Sequence, residues 1–268
     1  MAFVDSGGRA IWAEAHGDGP LAVLLLHGAG SNAATWWQQL PAFAARHRCI
    51  TMDLRCFGRS VAPMQEFDHA WFVQDALAVL DHFGVARAVV VGQSLGGMVG
   101  LRLALQHPQR VAAFVACDSP LGVDHPAILD ALARRARTAS ALTLEQRALG
   151  AWFLQRDPER AALYAQINAF NPGTHSVSAA DWRAAMDRLS APAALLPMTA
   201  LRDLRRPVLW LVGREDPLVP LAAMHDAAAL TPGSELAVMD DCGHSSYFEQ
   251  PAVFNHRVLD FIARRVTG

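Results

Sequence analysis

Ala88-Val89-Val90-Val91-Gly92-Gln93-Ser94-Leu95-Gly96-Gly97 runs an apolar strand into a G-x-S-x-G pentapeptide and on into a helical pattern. A chain that turns abruptly from strand to helix is crowded at the corner. Gly92 and Gly96 keep side chains out of that space and lift the Ser94 hydroxyl clear of the backbone. The pentapeptide alone occurs by chance in many proteins. Chemistry at Ser94 therefore requires a base, an acid and an oxyanion site elsewhere in the chain.

Reading outward, short apolar runs bounded by Gly or Pro recur at 10–15, 21–26, 49–52, 88–91, 111–116, 208–212 and 235–239. Most are continuous and not alternating, as in strands covered on both faces, which predicts an α/β fold with a mostly parallel sheet flanked by helices. Helical patterns lie at 68–83, 95–106, 221–230 and 251–265. The alternation breaks at 119–204, where Ala- and Arg-rich helical segments follow one another with no strand among them. Pro120, Pro126, Asn171-Pro172-Gly173, Pro192 and Pro197 divide this stretch into four or five helices, and Arg206-Pro207 returns the chain to the sheet. The predicted organisation is a core built from 1–118 and 205–268 with a helical cap, 119–204, inserted in it.

A serine is a poor nucleophile until a base takes its proton, and that base must itself be oriented. Among the 11 histidines, His244 follows the last predicted strand in Asp241-Cys242-Gly243-His244. Asp216 holds the matching place one strand earlier, in Gly213-Arg214-Glu215-Asp216-Pro217-Leu218-Val219-Pro220. Glu215 and Asp118, the latter at the end of the strand 111–117, are alternative acids. For the oxyanion, His27-Gly28-Ala29-Gly30 follows the strand 21–26, so the backbone N–H of Ala29 and that of Leu95, at a helix start, are the candidate donors. His27 itself reads as a histidine that organises loop backbone.

Composition closes off other classes. The chain has 268 residues, a formal net charge of −2 and no basic run, so it carries no electrostatic footprint for nucleic acid or an anionic membrane. Small-molecule partners are expected. No charged and apolar leader is visible at the N-terminus, and 21–26 is too short to span a bilayer, which points to a cytoplasmic protein with no membrane partner. Every one of the 23 basic residues is arginine. Without lysine there is no Schiff base, no Walker A phosphate site and no Ser-Lys dyad. Cys49, Cys56, Cys117 and Cys242 show no C-x-x-C spacing and read as buried thiols, so neither a metal nor a cofactor is expected.

These motifs together resemble the α/β-hydrolase superfamily over essentially the whole chain, in its serine-nucleophile branch. Besides the Ser94 pentapeptide, His27-Gly28, Gly213-x-x-Asp216 and Gly243-His244, the stretch Asp53-Leu54-Arg55-Cys56-Phe57-Gly58-Arg59-Ser60 resembles the family's D-x-R-G-x-G-x-S loop, with Cys56 where glycine is usual. The resemblance implies Ser94, Asp216 and His244 as catalytic residues, in the family's chain order, and favours Asp216 over Asp118 and Glu215. Its serine argues against the dehalogenases and epoxide hydrolases, which use a carboxylate nucleophile. The Gly-His-x-x-x-x-Glu-Gln-Pro ending is similar to small esterases and 3-oxoadipate enol-lactonases, implying an ester or lactone substrate. Carbon–carbon bond hydrolases of vinylogous diketones are the runner-up; they usually carry tryptophan where Ser245 stands. Cofactor-free perhydrolases and non-catalytic binding members of the fold are further alternatives. Trp36, Phe57, Trp152, Phe153, Trp182, Met186 and Leu218 are candidate pocket residues, with Arg55 and Arg134-Arg135 as possible carboxylate binders.

Overall fold

The computed structural model describes residues 1–138, 141–171 and 177–266. Its strands are β1 (Ala2–Ser6), β2 (Arg9–His16), β3 (Ala22–Leu26), β4 (Arg48–Met52), β5 (Ala88–Gln93), β6 (Val111–Cys117), β7 (Val123–Asp124), β8 (Leu196–Pro197), β9 (Val208–Gly213) and β10 (Glu235–Met239). Eight of them form one sheet in the order β1-β2-β4-β3-β5-β6-β9-β10, and β7 pairs with β8 separately. β1 and β2 are antiparallel to their neighbours, and every other pair in the large sheet is parallel.

The helices are α1 (Leu40–Ala44), α2 (His69–His82), α3 (Leu95–Gln106), α4 (Pro126–Thr138), α5 (Leu144–Ala148), α6 (Ala151–Arg156), α7 (Pro158–Ala169), α8 (Ala179–Leu189), α9 (Leu221–Leu230), α10 (Ser246–Glu249) and α11 (Pro251–Arg265). Because successive strand residues point to opposite faces, each apolar run feeds two cores. Leu24, Leu26, Val90, Phe114 and Trp210 pack with Phe72 of α2, Val99 and Leu103 of α3 and Met224 of α9. Val23, Leu25, Val89, Val91 and Leu211 pack with Phe43 of α1 and Phe254, Val258 and Phe261 of α11.

All seven predicted strands are present within two residues of their expected bounds, and β1 adds an eighth. Its signal was short: Gly7 and Gly8, at φ 59° and 78°, form a two-residue connection whose positive φ angles suit a hairpin between β1 and β2. The expectation of no strand in 119–204 is corrected. β7 and β8 sit near the two ends of that stretch and pair in parallel, Val123 opposite Leu196 and Asp124 opposite Pro197. Two residues leave no periodicity to read. Arg102 of α3 binds both ends as well, donating to Leu121 O at 3.4 Å, Gly122 O at 3.3 Å and Ala194 O at 2.6 Å. Between these ends the described residues form α4 to α8; Pro126 opens α4 and Pro192 a 3₁₀ turn. Of the predicted breakers, Pro172 and Gly173 lie outside the described residues.

Candidate active site

Parallel pairing of β3, β5, β6, β9 and β10 brings their C-terminal ends to one edge of the sheet, where ligand sites of open α/β sheets form. Ser94 leaves β5 with φ 49° and ψ −112°, a backbone conformation that costs a side-chain-bearing residue on the order of 1–3 kcal/mol. Close approach explains the glycine after it. A Cβ on Gly96 would stand 2.1 Å from Leu26 O, so no larger residue lets α3 lie against β3. Ser94 occupies the cap position of α3, yet its side chain makes no capping hydrogen bond. The hydroxyl instead lies 2.9 Å from His244 Nε2.

His244 Nδ1 is 2.8 Å from Asp216 Oδ2, and Asp216 Oδ1 accepts Leu218 N–H at 2.7 Å and Val219 N–H at 3.1 Å. With Nδ1 protonated toward the carboxylate, Nε2 faces Ser94 as an acceptor. Burial disfavours the charged imidazole, but the Asp216 carboxylate, its hydrogen bond and the Asp118 charge outweigh it. The His244 pKa is raised above the ordinary 6.5. Glu215, the neighbouring alternative acid, accepts Ala151 N–H. Asp118 is not hydrogen-bonded to His244 either. Its Oδ1 accepts Gly213 N–H at 2.8 Å and its Oδ2 accepts Ser246 N–H at 2.8 Å and Ser246 O–H at 2.7 Å.

Gly28 lies against the elbow: a Cβ there would be 2.1 Å from Gln93 Oε1 and 3.1 Å from Ser94 Cβ. Ala29 follows in a turn closed by Ser31 N–H to Gly28 O at 3.2 Å, and Leu95 starts α3, whose first-turn amides have no intrahelical acceptor. His27 organises this loop. Its Nδ1 donates to Gly28 O at 2.8 Å and its Nε2 accepts Leu54 N–H at 2.9 Å, and burial lowers its pKa, so both nitrogens are committed.

Two residues that support the base lacked an assigned role in the sequence. Gln93 Nε2 donates to His244 O at 2.7 Å, joining the elbow to the histidine loop. Glu249, 2% exposed, accepts Gly243 N–H at 2.9 and 3.0 Å, Ser245 N–H at 3.3 Å and Gly150 N–H at 2.8 Å. Their signal was position within motifs already quoted, next to Ser94 and five residues after His244.

The candidate pocket residues divide. Phe57, Trp182, Met186 and Leu218 belong to the core layer that also holds Leu95 and Met98, with Phe57 edge-on to His27 at 5.5 Å and to Trp182 at 5.9 Å. Trp36 is corrected: it is fully buried on the other face of the sheet, 4.6 Å from Tyr247. Trp152 is corrected too, being 38% exposed on an outer groove with Phe153, Arg156 and Gln250. Neither side chain is distinguishable by pattern from one facing Ser94, because an aromatic residue serves packing equally well. Arg55 is committed to Asp75, Glu66 and Ser6 O; Arg134 pairs with Asp130, and Arg135 donates to Arg147 O at 3.0 Å.

Cys56 takes the glycine-like conformation of its loop, φ 72°, and its buried thiol lies 3.6 Å from Pro63 O. All four cysteines are free and buried; burial pushes Cys49 and Cys56 up to about 12 and the other two well above their usual range. Thiolate is the reactive form. Ellman's reagent is therefore expected to find no thiol in the native protein and four after denaturation; rapid native labelling would contradict the burial.

Among the described residues no helix is long and apolar enough to cross a membrane, and no three His, Cys, Asp or Glu side chains gather as metal ligands.

The fold agrees with comparisons to known proteins. The profile of the alpha/beta hydrolase fold family matches residues 22–251, and the chain belongs to that family. It is 34% identical over 265 residues to a putative carbamate hydrolase, RutD, of Variovorax paradoxus strain S110, covering 94% of this chain and 95% of the relative. It is 31% identical over 248 residues to the 2-hydroxymuconate semialdehyde hydrolase of Pseudomonas sp. strain CF600, covering 90% and 86%. Among solved structures, Est816, described as an N-acyl homoserine lactone degrading enzyme, superposes with a TM-score of 0.81 at 30% identity, covering 96% of this chain and 99% of that one.

Proposed function

We propose that this hydrolase cleaves a carboxylic ester or lactone through an acyl-enzyme, with Ser94 as nucleophile, His244 as base and Asp216 as its orienting acid. The continuous chain Asp216 Oδ2, His244 Nδ1, His244 Nε2 and Ser94 Oγ, with links of 2.8 and 2.9 Å, carries this reading. Ser94 Oγ attacks the carbonyl carbon as Nε2 takes its proton, and the Asp216 carboxylate stabilises the imidazolium. The N–H groups of Ala29 and Leu95 hold the oxyanion, each worth about 10²–10³ in rate. Collapse expels the alkoxide, which takes the proton from His244. Water, deprotonated by His244, then attacks the acyl carbon and regenerates Ser94. The helical stretch 119–204 serves as the cap over this site, with Phe57, Trp182, Met186 and Leu218 as its apolar wall.

Ester or lactone chemistry is favoured by Est816, 30% identical and described as lactone-degrading. A second reading is supported by the 31% identical relative: action on a semialdehyde like that in its name, or on a vinylogous diketone. Ser245 weighs against it. This residue is buried and donates to Tyr164 OH at 3.0 Å, so no aromatic ring follows the histidine. Parallel rates on p-nitrophenyl esters of rising acyl length, several lactones, a carbamate and a vinylogous diketone test the choice, and turnover of the diketone alone would overturn it.

The base must be neutral to act, so kcat/KM is expected to rise as pH climbs through the His244 pKa, with its midpoint above 6.5. A pH–rate profile flat from pH 6 to 9 would contradict His244 as the base.

A further inference from the structure

Beyond the ends of β9 and β10, the loops bearing Asp216 and His244 are joined by two backbone hydrogen bonds, Arg214 N–H to Met239 O at 2.8 Å and Glu215 N–H to Cys242 O at 2.9 Å. Asp118 bridges them as well. It leaves β6 at φ 46° and is completely buried. One carboxylate oxygen holds Gly213 N–H, three residues before Asp216; the other holds the N–H and O–H of Ser246, two residues after His244. We propose that Asp118 is a positioning residue for the reaction: from between the acid and base loops it fixes their spacing, and its negative charge supports the imidazolium form of His244 without a hydrogen bond to it. This rests on the hydrolase reading of the same site.

Both Asp118 oxygens face donors, so the tie calls for an acceptor at each; the carboxylate supplies them and brings a negative charge beside the base. Burying a carboxylate with only N–H and O–H donors around it is costly, and here the site already holds Asp216. Burial and the Asp216 charge push the Asp118 carboxyl up to about 6, which leaves it ionised at the slightly alkaline pH where His244 is free to act. The groups facing the pair come from every side. His244 meets Asp216 after β9, Asp118 after β6 and, from α4, the opposing charge of Arg135. Asp118 meets Cys117 beside it, Glu249 at the end of α10 and Tyr164 on α7. Of the carboxylates around the base, Asp118 acts on it most strongly after Asp216.

Asp118→Asn removes the charge and, because both carboxylate oxygens accept backbone N–H groups, also turns one of those contacts into donor against donor, so a loss of stability is expected alongside the effect on the base. The expected result is a kcat lower by about tenfold with KM changed less than about threefold, and an acid limb of the pH–rate profile moved to lower pH by roughly half a unit or more. Thermal unfolding checks that the variant is folded. Ser246→Ala, which removes one donor and retains the carboxylate, serves as a second variant; a less well satisfied Asp118 ionises less readily, so its acid limb moves the same way by less. A structural tie alone would lower stability and leave the acid limb where it is in both variants, and that result would overturn the proposal. The His244 ring titration followed by NMR gives the same shift independently of turnover. Fluorophosphonate labelling of the parent protein separates the two levels. Failure to label sinks the hydrolase reading, whereas normal labelling with unmoved His244 titration in Asp118→Asn sinks only the role of Asp118.

Discussion

Ser94→Ala is expected to abolish fluorophosphonate labelling and to lower ester hydrolysis by about four to six orders of magnitude, with the fold intact. In the proposed mechanism nucleophile and base act as one unit, so the loss is large: with no hydroxyl at 2.9 Å, His244 has no proton to take. The fold is spared because the Ser94 side chain does no structural work. It makes no capping hydrogen bond for α3, and the positive φ is imposed by the strand-to-helix corner and not by the hydroxyl. Alanine adopts that φ at a similar cost, so the midpoint of thermal unfolding should change by no more than a few degrees. Equal labelling of the variant and its parent would remove Ser94 from the mechanism.

Asp216→Asn is expected to reduce kcat/KM by about 10⁴ while leaving substrate binding nearly unchanged. The direction follows from which oxygen is already occupied. Oδ1 accepts two backbone N–H groups, Leu218 at 2.7 Å and Val219 at 3.1 Å, so in the variant it must remain the carbonyl oxygen. The new NH₂ then points at His244 Nδ1, which has to become an acceptor. Nε2 carries the proton in that tautomer and cannot take another from Ser94. Loss of the carboxylate also removes the largest influence that raises the His244 pKa, so the residual activity should show an acid limb at lower pH. A variant that keeps more than a tenth of parental activity would show that another acid orients the histidine.

Both predictions concern residues legible from sequence, and the reason is physical. A serine between glycines after a run of valines, an aspartate after Gly213 and a histidine after Gly243 are each tied to the end of a continuous apolar strand, and such strands announce themselves. The parallel sheet then brings strand ends together whatever lies between them. What was not legible depends on distances across the chain. Gln93 reaches His244 over 151 residues of sequence and Asp118 reaches Ser246 over 128, so nothing local marks either contact. Asp118 was visible only as an acid after a strand, which made it a rival of Asp216; the structure gives the two carboxylates different partners. The aromatic residues failed in the opposite way. Trp36 and Trp152 satisfy the pattern expected of a pocket wall, but one is consumed by the far core and the other faces outward. Cys56 shows that a family glycine marks a backbone conformation: the cysteine adopts φ 72° all the same.

The meeting of Gly122 and Leu196, with Arg102 grasping the chain on both sides, gives the helical stretch a narrow neck. Its two ends are held together by the pairing of β7 with β8 and by Arg102 of α3. A stretch attached in this way is an exchangeable cassette. Its length and sequence can drift, or be swapped for a relative's, with the sheet and its strand-end loops left standing, and under the proposed cap role substrate preference can evolve at a different tempo from chemistry.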